Sequence, residues 1–233
     1  MARLFAIADL HLSASGAKPM DVFGALWKNH PERIAAAWDA SVAPGDAVLL
    51  PGDLSWARDL DEARPDLAWI GARPGVKYLL RGNHDGWWSS IAKVRQALPQ
   101  GCHALQNDAF DLGGVVLVGA RGWTAPDDPM AVPRDTTIFL RELTRLQLSL
   151  LDADRRFGRS SPRVAMLHYP PWIEGRAASD VVHMLREGGV RTCLYGHLHG
   201  VDHALAVQGE REGLRFHLVA ADAIGFAPLP FVA

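Results

Sequence analysis

The stretch Arg81-Gly82-Asn83-His84-Asp85 follows directly on an apolar run, Val76-Lys77-Tyr78-Leu79-Leu80. Such a run is typical of a β-strand that is buried on both faces. A strand that ends in glycine and continues with Asn, His and Asp places a metal ligand, an acid and a carboxylate on one turn. Because Gly-Asn and His-Asp also occur in ordinary turns, the meaning of this stretch depends on the rest of the chain.

Four further predicted strand ends carry side chains of the same kinds. They are Asp9-x-His11, Gly52-Asp53, the single His168, and Gly196-His197-x-His199. Taken singly, a histidine at a strand end is usually a hydrogen-bonded structural residue, and a Gly-Asp pair is usually a turn. Taken together, the oxygen and nitrogen ligands at these ends would be costly to bury at one edge without cations. The sequence therefore predicts a metal site formed by Asp9, His11, Asp53, Asn83, His168, His197 and His199.

The number and chemistry of these ligands indicate the kind of metal. Seven ligands are too many for one tetrahedral ion, but they suit two ions that share a carboxylate. Imidazole and oxygen ligands without a thiolate favour Mn, Fe, Zn, Co or Ni over Ca. The sequence does not rank these five metals. We therefore expect two divalent transition-metal ions as cofactors.

Apolar segments predict about ten strands in two groups, with helices between them. The predicted helices cover about 30–42, 59–70, 87–98, 136–157 and 177–187, and a closing antiparallel strand pair covers 202–207 and 214–220. Strand–helix units in series favour parallel strands, and helices on both outer sides favour two sheets packed face to face. The expected fold is α/β (α+β), a four-layer α-β-β-α sandwich of two mixed sheets. We expect one domain over residues 1–233, with residues 121–140 as a lid or rim segment.

The five motifs D-x-H, G-D, G-N-H-D, H and G-H-x-H occur in this order from Asp9 to His199. In this respect the chain resembles the calcineurin-like metallophosphoesterase superfamily. The resemblance implies the same four-layer fold, with the site at the strand ends. It also implies that Asp9, His11 and His199 bind one ion, that Asn83, His168 and His197 bind the other, and that Asp53 bridges them.

The activity implied by this resemblance is metal-dependent hydrolysis of phosphomonoesters or phosphodiesters. A water that bridges two divalent ions loses a proton near neutral pH and becomes the nucleophile. By the resemblance, His84 contacts the phosphate and protonates the leaving oxygen, and Asp85 holds its ring. Asp85 is also a candidate N-cap for a helix that starts near Trp87, and both roles can coexist.

Three other charged residues have two interpretations each. Arg121 could bind a phosphate oxygen bidentately or serve the structure alone. Arg81 has a counterpart in protein-phosphatase relatives, but a structural ion pair accounts for it equally well. Asp222 could orient a ligand histidine or belong to a turn.

Five tryptophans lie within a few residues of a motif. They are Trp56, Trp87, Trp88, Trp123 and Trp172. Such residues could pack beneath the metal loops, or they could form an aromatic rim that stacks on a base, ring or acyl group of the substrate.

Composition limits the partners and the location. The net charge of −2, without a Lys/Arg-rich run, argues against a nucleic-acid-binding surface. No apolar stretch approaches the ~20 residues that a membrane span requires, and no signal-peptide pattern is present. We therefore expect a cytoplasmic protein with a small-molecule or protein phosphoester substrate.

Cys102 and Cys193 have no metal-binding spacing and are expected to be free thiols. The oligomeric state is left open.

Three rival functions remain at this point. A nuclease on the same fold would need a basic groove or a DNA-binding appendage. A catalytically silent interaction module would have lost ligands, whereas all of them and His84 are present. A third rival is a lipid-linked pyrophosphatase on the same fold. Members of the superfamily with that activity carry arginine at the position of His84, so this function is less favoured but stays open.

Overall fold

The structure is a computed structural model, which describes residues 2–16, 18–128 and 131–233. Within these residues the first sheet is mixed and has five strands. They are β1 (Leu4–Ala6), β2 (Ala47–Leu50), β3 (Val76–Leu79), β4 (Cys102–Ala104) and β11 (Leu229–Phe231), in the spatial order β11-β1-β2-β3-β4. Strands β1 to β4 are parallel, and β11 pairs antiparallel with β1.

The second sheet is also mixed, and six strands form it within the described residues. They are β5 (Phe110–Asp111), β6 (Val116–Ala120), β7 (Arg163–Leu167), β8 (Val190–Tyr195), β9 (Gly209–Arg211) and β10 (Leu214–Leu218), in the order β5-β6-β7-β8-β10-β9. The four central strands are parallel, and the two edge strands pair antiparallel with their neighbours.

Helices cover the outer faces of both sheets. They are α1 (His30–Ser41), α2 (Leu60–Ala72), α3 (Ile91–Ala97), α4 (Pro133–Phe157) and α5 (Asp180–Glu187). Helices α1, α2 and α3 pack on the first sheet, and α4 and α5 pack on the second. Three short 3-10 helices, Met20–Phe23, Ala25–Trp27 and Gly200–Leu205, lie in the loops.

The core has three layers, because successive residues of a strand point to opposite faces of its sheet. In β2, Val48 packs with the helices of the first sheet, whereas Leu49 packs between the two sheets. In β7, Ala165 packs with the helices of the second sheet, and Met166 lies between the sheets. This alternation confirms the expected α-β-β-α sandwich.

The two sheets meet at the carboxyl ends of β1 and β10. The amide of Ala8 donates to the carbonyl of Val219 at 2.8 Å, and the amide of Ala221 donates to the carbonyl of Ala8 at 3.0 Å. Because the carboxyl ends of parallel strands share one edge, this junction brings the loops after both sets of parallel strands together.

The structure corrects several local predictions and adds two strands. Helix α5, predicted from residue 177, begins at Asp180. Residues 202–205 belong to a 3-10 helix, so the partner of β10 is β9 and not 202–207. The helix expected from Trp87 begins at Ile91, because Trp87 and Trp88 are buried in a loop. The short strands β4 and β11 were not predicted. The irregular segment after β6 ends at Val132, and Pro133 opens α4, so residues 133–140 are helical.

Two composition-based expectations can be compared with the structure. Cys102 and Cys193 are both buried and free. Among the described residues, no helix is both long enough and apolar enough to cross a lipid bilayer.

The close pairing of β6 with β7 depends on a residue without a side chain. A Cβ at Gly119 would lie 2.0 Å from the carbonyl oxygen of Met166. We expect Gly119→Ala to lower the free energy of unfolding by about 1–3 kcal/mol, measured by chemical denaturation. The matched control is Gly45→Ala, because a Cβ at Gly45 meets nothing within 4 Å. Equal denaturation midpoints for the two variants would contradict this account.

Candidate metal centre

Four of the predicted ligands have backbone φ angles that non-glycine residues adopt infrequently. The φ angles are 57° at Asp9, 44° at His11, 52° at Asp53 and 75° at His197. Each residue lies just after a parallel strand, where the chain turns sharply. Strained backbone of this kind is concentrated at functional sites, because the surrounding structure must enforce it.

The glycines of two motifs allow the carboxylates to approach the neighbouring loops. A Cβ at Gly82 would lie 2.0 Å from Oδ1 of Asp53, and a Cβ at Gly196 would lie 2.2 Å from Oδ2 of Asp9. These two positions therefore require glycine for space. The close distance lets nearby backbone amides bind the carboxylates. His84 N–H donates to Asp53 Oδ1 at 2.8 Å, and His197 N–H donates to Asp9 Oδ2 at 3.0 Å.

Asp9, His11 and His199 form one group of ligand atoms, all within 4.8 Å of one another. Nε2 of His11 lies 3.3 Å from Nε2 of His199, which lies 3.7 Å from Asp9 Oδ1. Nδ1 of His199 lies 2.9 Å from Asp222 Oδ1, to which it donates. This hydrogen bond directs the other ring nitrogen of His199 towards the group, as outer carboxylates do for metal-binding histidines.

A second group consists of Asp53, Asn83, His168 and His197. Oδ1 of Asn83 lies 2.6 Å from His168 Nε2 and 3.0 Å from His197 Nδ1. Nδ1 of His168 donates to the carbonyl of Pro51 at 2.9 Å, since a carbonyl can only accept. The neutral ring therefore presents the lone pair of Nε2 to this group.

Asp53 lies between the two groups. Its Oδ2 is 3.8 Å from His11 Nε2, and its Oδ1 is 3.5 Å from His168 Nε2. Asp9 also approaches His168, but at 3.9 Å from Nδ1, the nitrogen that the Pro51 carbonyl already holds. Asp9 also forms, with Asp53 and His168, a second group of ligand atoms within 4.8 Å of one another. Asp53 differs from Asp9 in having a different oxygen near a histidine Nε2 of each group.

The electrostatics of the site are those of buried acids among neutral imidazoles. Burial raises the pKa of both Asp9 and Asp53, and it raises the pKa of Asp9 by a large amount. Burial also lowers the pKa of His168 to about 3 and that of His197 to about 2. Burial acts in the same direction on His199, but the hydrogen bond to Asp222 and the surrounding carboxylates outweigh it and raise the pKa.

Two buried side-chain atoms of predicted ligand residues have no hydrogen-bond partner within the described part of the chain. They are Oδ1 of Asp9 and Nδ1 of His11. An unpaired buried carboxylate oxygen is strongly unfavourable unless a cation balances it. Carboxylate and amide oxygens with neutral imidazoles are ligands suited to divalent transition metals. The residues present therefore fit the expected ions.

His84 lies at the edge of this cluster and not inside it. Its side chain is 44% exposed, and its Nε2 lies 4.0 Å from Asp53 Oδ2. Burial lowers the pKa of His84, although the charge of Asp53 opposes this effect. The ring of Trp56 lies 4.3 Å from the His84 ring, between their centroids. His84 is therefore accessible to a molecule that approaches the two ligand groups.

Asp85 has a role different from the two that were expected. Its carboxylate accepts hydrogen bonds from Leu54 N at 2.9 Å, Gly82 N at 2.7 Å and Trp87 Nε1 at 2.9 Å. Across residues 2–16, 18–128 and 131–233, no hydrogen bond joins Asp85 to the His84 ring. Asp85 is not a helix N-cap either, since Ser90 occupies that position of α3. Instead it ties the loop after β3 to the loop after β2.

The side chain of Arg121 makes an ion pair. Its Nη2 lies 3.3 Å from Glu142 Oε1, and its guanidinium lies 4.4 Å from the ring centroid of Trp123. Its backbone contacts the loop that carries His168, because the Arg121 carbonyl accepts from His168 N and Tyr169 N. The structure thus joins Arg121 to the site through its carbonyl, while a buried acid holds its guanidinium.

Sequence reasoning missed an apolar cavity of about 420 Å³ beside the first ligand group. It is lined by His11, Met20, Phe23, Leu26, Trp27, Trp56, His84, His199, Gly200 and Asp222. The ring of Trp56 stacks on His11 at 4.9 Å, and Trp27 meets the same ring edge-on at 5.8 Å. The apolar residues between positions 20 and 27 were the available signal.

The tryptophans near the motifs divide into two sets. Trp87 and Trp88 are buried in the core of the first sheet, as the packing interpretation expects. Trp56 lines the apolar cavity, whereas Trp123 and Trp172 line a second cavity of about 420 Å³ that contains His197.

Solved structures with the same fold include two proteins of low sequence identity. The phosphopantetheinyl hydrolase PptH from Mycobacterium tuberculosis has a TM-score of 0.56 and 15% identity, over 94% of this chain and 89% of that protein. The protein of unknown function AQ665 from Aquifex aeolicus has a TM-score of 0.51 and 14% identity, over 99% and 96%. At these identities the similarity concerns the fold alone.

Two curated relatives come from bacteriophages. The Gene 66 protein of Mycobacterium phage L5 is 33% identical over 86 residues, which is 37% of this chain and 41% of the phage protein. That of Mycobacterium phage D29 is 36% identical over 87 residues, or 36% and 41%. The matched region thus spans about two fifths of these relatives. A much longer match is made by the family model for calcineurin-like phosphoesterases, which covers residues 2–201. This chain therefore belongs to the calcineurin-like phosphoesterase family.

Proposed function

We propose that this protein hydrolyses phosphoesters with two divalent transition-metal ions, of Mn, Fe, Zn, Co or Ni. In this proposal Asp9, His11 and His199 hold one ion, Asn83, His168 and His197 hold the other, and Asp53 bridges them. The observation that carries the proposal is Asp53, whose two oxygens are directed at the two ligand groups, 3.8 Å from His11 and 3.5 Å from His168. The family supports a metal-dependent hydrolase.

Such ions, when bound, would activate a water and neutralise the charge that builds up on the phosphorus. The chain itself supplies the orientation of the ligands. The Pro51 carbonyl holds the His168 ring, and Asp222 holds the His199 ring, so each presents a fixed nitrogen. Asp85 contributes indirectly, because it fixes the loop that carries Asn83 and His84.

His84 is the proposed group for the phosphate and the leaving oxygen. Its partial exposure and its distance of 4.0 Å from Asp53 place its ring beside the bridging carboxylate. Because burial lowers its pKa, the ring is mostly neutral at pH 7 and carries one N–H. That N–H can donate a hydrogen bond to a phosphate oxygen. The protonated minority of the ring, an imidazolium, would pass its extra proton to the departing alkoxide and return to the neutral form.

The apolar cavity supports a substrate whose organic part is apolar or aromatic. His84 and His199 lie on its wall together with Trp27, Trp56 and Phe23. An ester bound at the ligand groups could thus direct its alcohol portion into the cavity. Both monoesters and diesters suit this arrangement. A nuclease remains the alternative. Its polyanionic substrate would be repelled by a net charge of −2, so we favour a smaller phosphoester.

We also propose that residues 121–128, with 131 and 132, form a rim beside the site. They are the irregular part of the predicted 121–140 segment, in which residues 129 and 130 lie outside the described residues. Trp123 lines the cavity that contains His197, as do Asp127 and Asp128. The ring of Trp123 lies 4.8 Å from that of Tyr169, which in turn lies 4.1 Å from His197. These contacts link the segment to a proposed ligand and support a role in substrate choice.

Metal content tests the shared-carboxylate arrangement. We expect two Mn ions per chain after reconstitution, measured by elemental analysis. Asp53→Asn should reduce this number to one or none, because it removes the oxygen charge that both ion sites use. The control is Asp61→Asn, whose side chain is 88% exposed and pairs with Arg64. A wild-type stoichiometry of one would contradict the arrangement.

The role of His84 is tested with leaving groups of different basicity. His84→Ala should retain both metals and lose about 10²–10⁴ in kcat on an alkyl phosphate. The loss should be much smaller on p-nitrophenyl phosphate, whose leaving group needs no proton. His183→Ala, an exposed histidine of α5, serves as the control. Equal losses on both substrates would assign His84 to phosphate binding instead.

The rim proposal is tested at Trp123. The indole Nε1 donates to Asp135 Oδ1 at 2.9 Å, which attaches the segment to α4. We expect Trp123→Ala to lower kcat/KM for bis-p-nitrophenyl phosphate about tenfold, a change of about 1.4 kcal/mol, with metal content unchanged. Leu148→Ala on the exposed face of α4 is the control. If kcat/KM does not change, residues 121–132 only connect β6 to α4.

A further inference from the structure

A separate cavity of about 290 Å³ is lined by four arginines from three parts of the chain. Arg81 follows β3, Arg121 follows β6, and Arg141 and Arg145 lie one turn apart on α4. None of the seven predicted metal ligands lines this cavity. It is therefore a different place from the metal centre, and nothing in the proposed hydrolysis accounts for it.

The charges around this arginine cavity do not balance. Glu142 is its one acidic lining residue, and it is 5% exposed. Oε1 of Glu142 lies 3.3 Å from Arg121 Nη2, 3.4 Å from Arg145 Nε and 3.8 Å from Arg141 Nε. One carboxylate oxygen thus faces three guanidinium groups. Four arginines and one glutamate leave a net charge of +3 on the cavity wall.

Several donors in the arginine cavity also lack an acceptor. The Nε atoms of Arg81, Arg121 and Arg145 are buried and make no hydrogen bond in the described parts of the chain, although Arg145 Nε lies within ion-pair distance of Glu142 Oε1. Arg81 also has no acidic side chain within ion-pair distance in the described part of the chain. The side chains of Arg141 and Arg145 are 56% and 31% exposed, so water screens part of the repulsion, and an anion that joins the guanidinium groups would offset the rest.

The ligand that such a wall suits is a multiply charged oxyanion. Guanidinium groups bind phosphate through pairs of parallel N–H donors, and several of them can surround one phosphate. Gln106 and Asn107 add amide groups to the same wall. A singly charged carboxylate would leave most of the excess positive charge unbalanced.

The arginine cavity is a neighbour of the metal centre. Arg81 precedes Asn83 by two residues, and the Arg121 carbonyl accepts the amide of His168 at 3.0 Å. Trp123 lines both this cavity and the one that contains His197. We propose that the arginine cavity binds a second phosphate-class oxyanion, distinct from a phosphate held at the metal centre.

The test is isothermal titration of inorganic phosphate into the metal-loaded protein at low salt. We expect the double variant Arg141→Gln/Arg145→Gln to weaken phosphate binding tenfold or more, because it removes two charged donors. Glu142→Gln should have the opposite effect and tighten binding, since it removes the opposing charge. The control is Arg155→Gln, also on α4, whose side chain is 78% exposed. Thermal unfolding verifies that each variant is folded.

The outcomes separate this proposal from the proposed function. In Asp53→Asn, phosphate binding at the metal centre should be lost, while the component that depends on Arg141 and Arg145 remains. That component can therefore be measured even if the protein hydrolyses no phosphoester. If folded Arg141→Gln/Arg145→Gln and Glu142→Gln proteins both bind phosphate as the wild type does, the arginine cavity is not an anion site.

A free phosphate and a phosphate group of a larger substrate offer the same chemistry. The monophosphate and the bisphosphate of propane-1,3-diol distinguish them in the same titration. Tighter binding of the bisphosphate, lost in Arg141→Gln/Arg145→Gln, assigns the cavity to a substrate with two phosphates. Equal binding of the two compounds, still dependent on the arginines, assigns it to free phosphate.

Discussion

Two carboxylates buried among neutral imidazoles are the constraint on which the rest of this structure depends. Asp9 and Asp53 are 0% and 1% exposed, and burial raises the pKa of both. Amides and glycines of the adjacent loops approach them closely, at the expense of strained φ angles along the chain. Burying two carboxylates in this way is energetically unfavourable unless a positive charge balances them. The two-sheet architecture positions these loops, since the junction of Ala8 with Val219 and Ala221 brings both sets of strand ends to one place.

Different chemical environments surround the proposed metal centre. On one side, Trp27, Trp56 and the apolar residues of the 3-10 helices form a cavity against His11 and His199. Elsewhere, four arginines around Glu142 form a cavity with excess positive charge. In our proposals, these surroundings restrict the candidate substrates more than the metal ligands do. The ligands indicate a reaction class, and the surroundings discriminate among its substrates.

The sequence was sufficient for the layers of the fold and for the set of converging ligands. Parallel strands buried on both faces are apolar throughout, so β2, β3, β7 and β8 were evident, as were the polar residues at their ends. The edge strands β4 and β11 have three residues each and too little pattern to detect. The start of α3 was misplaced because Trp87 and Trp88 imitate a helical apolar face. The hydrogen bond that Asp85 accepts from Leu54 and the pairing of Arg121 with Glu142 join distant segments, which no local pattern reports. That residues 1–233 form one domain stays a prediction.

The two proposed ion sites differ in what holds their histidines. His199 is oriented by the side chain of Asp222, whereas His168 is oriented by the backbone carbonyl of Pro51. A carboxylate can be exchanged by a single mutation for an amide, a hydroxyl or nothing, and each exchange alters the electron density on the ring. A backbone carbonyl is present whatever residue occupies position 51. Mutation can therefore change what orients His199 in small steps, whereas the hydrogen bond that orients His168 persists in every variant that keeps this backbone.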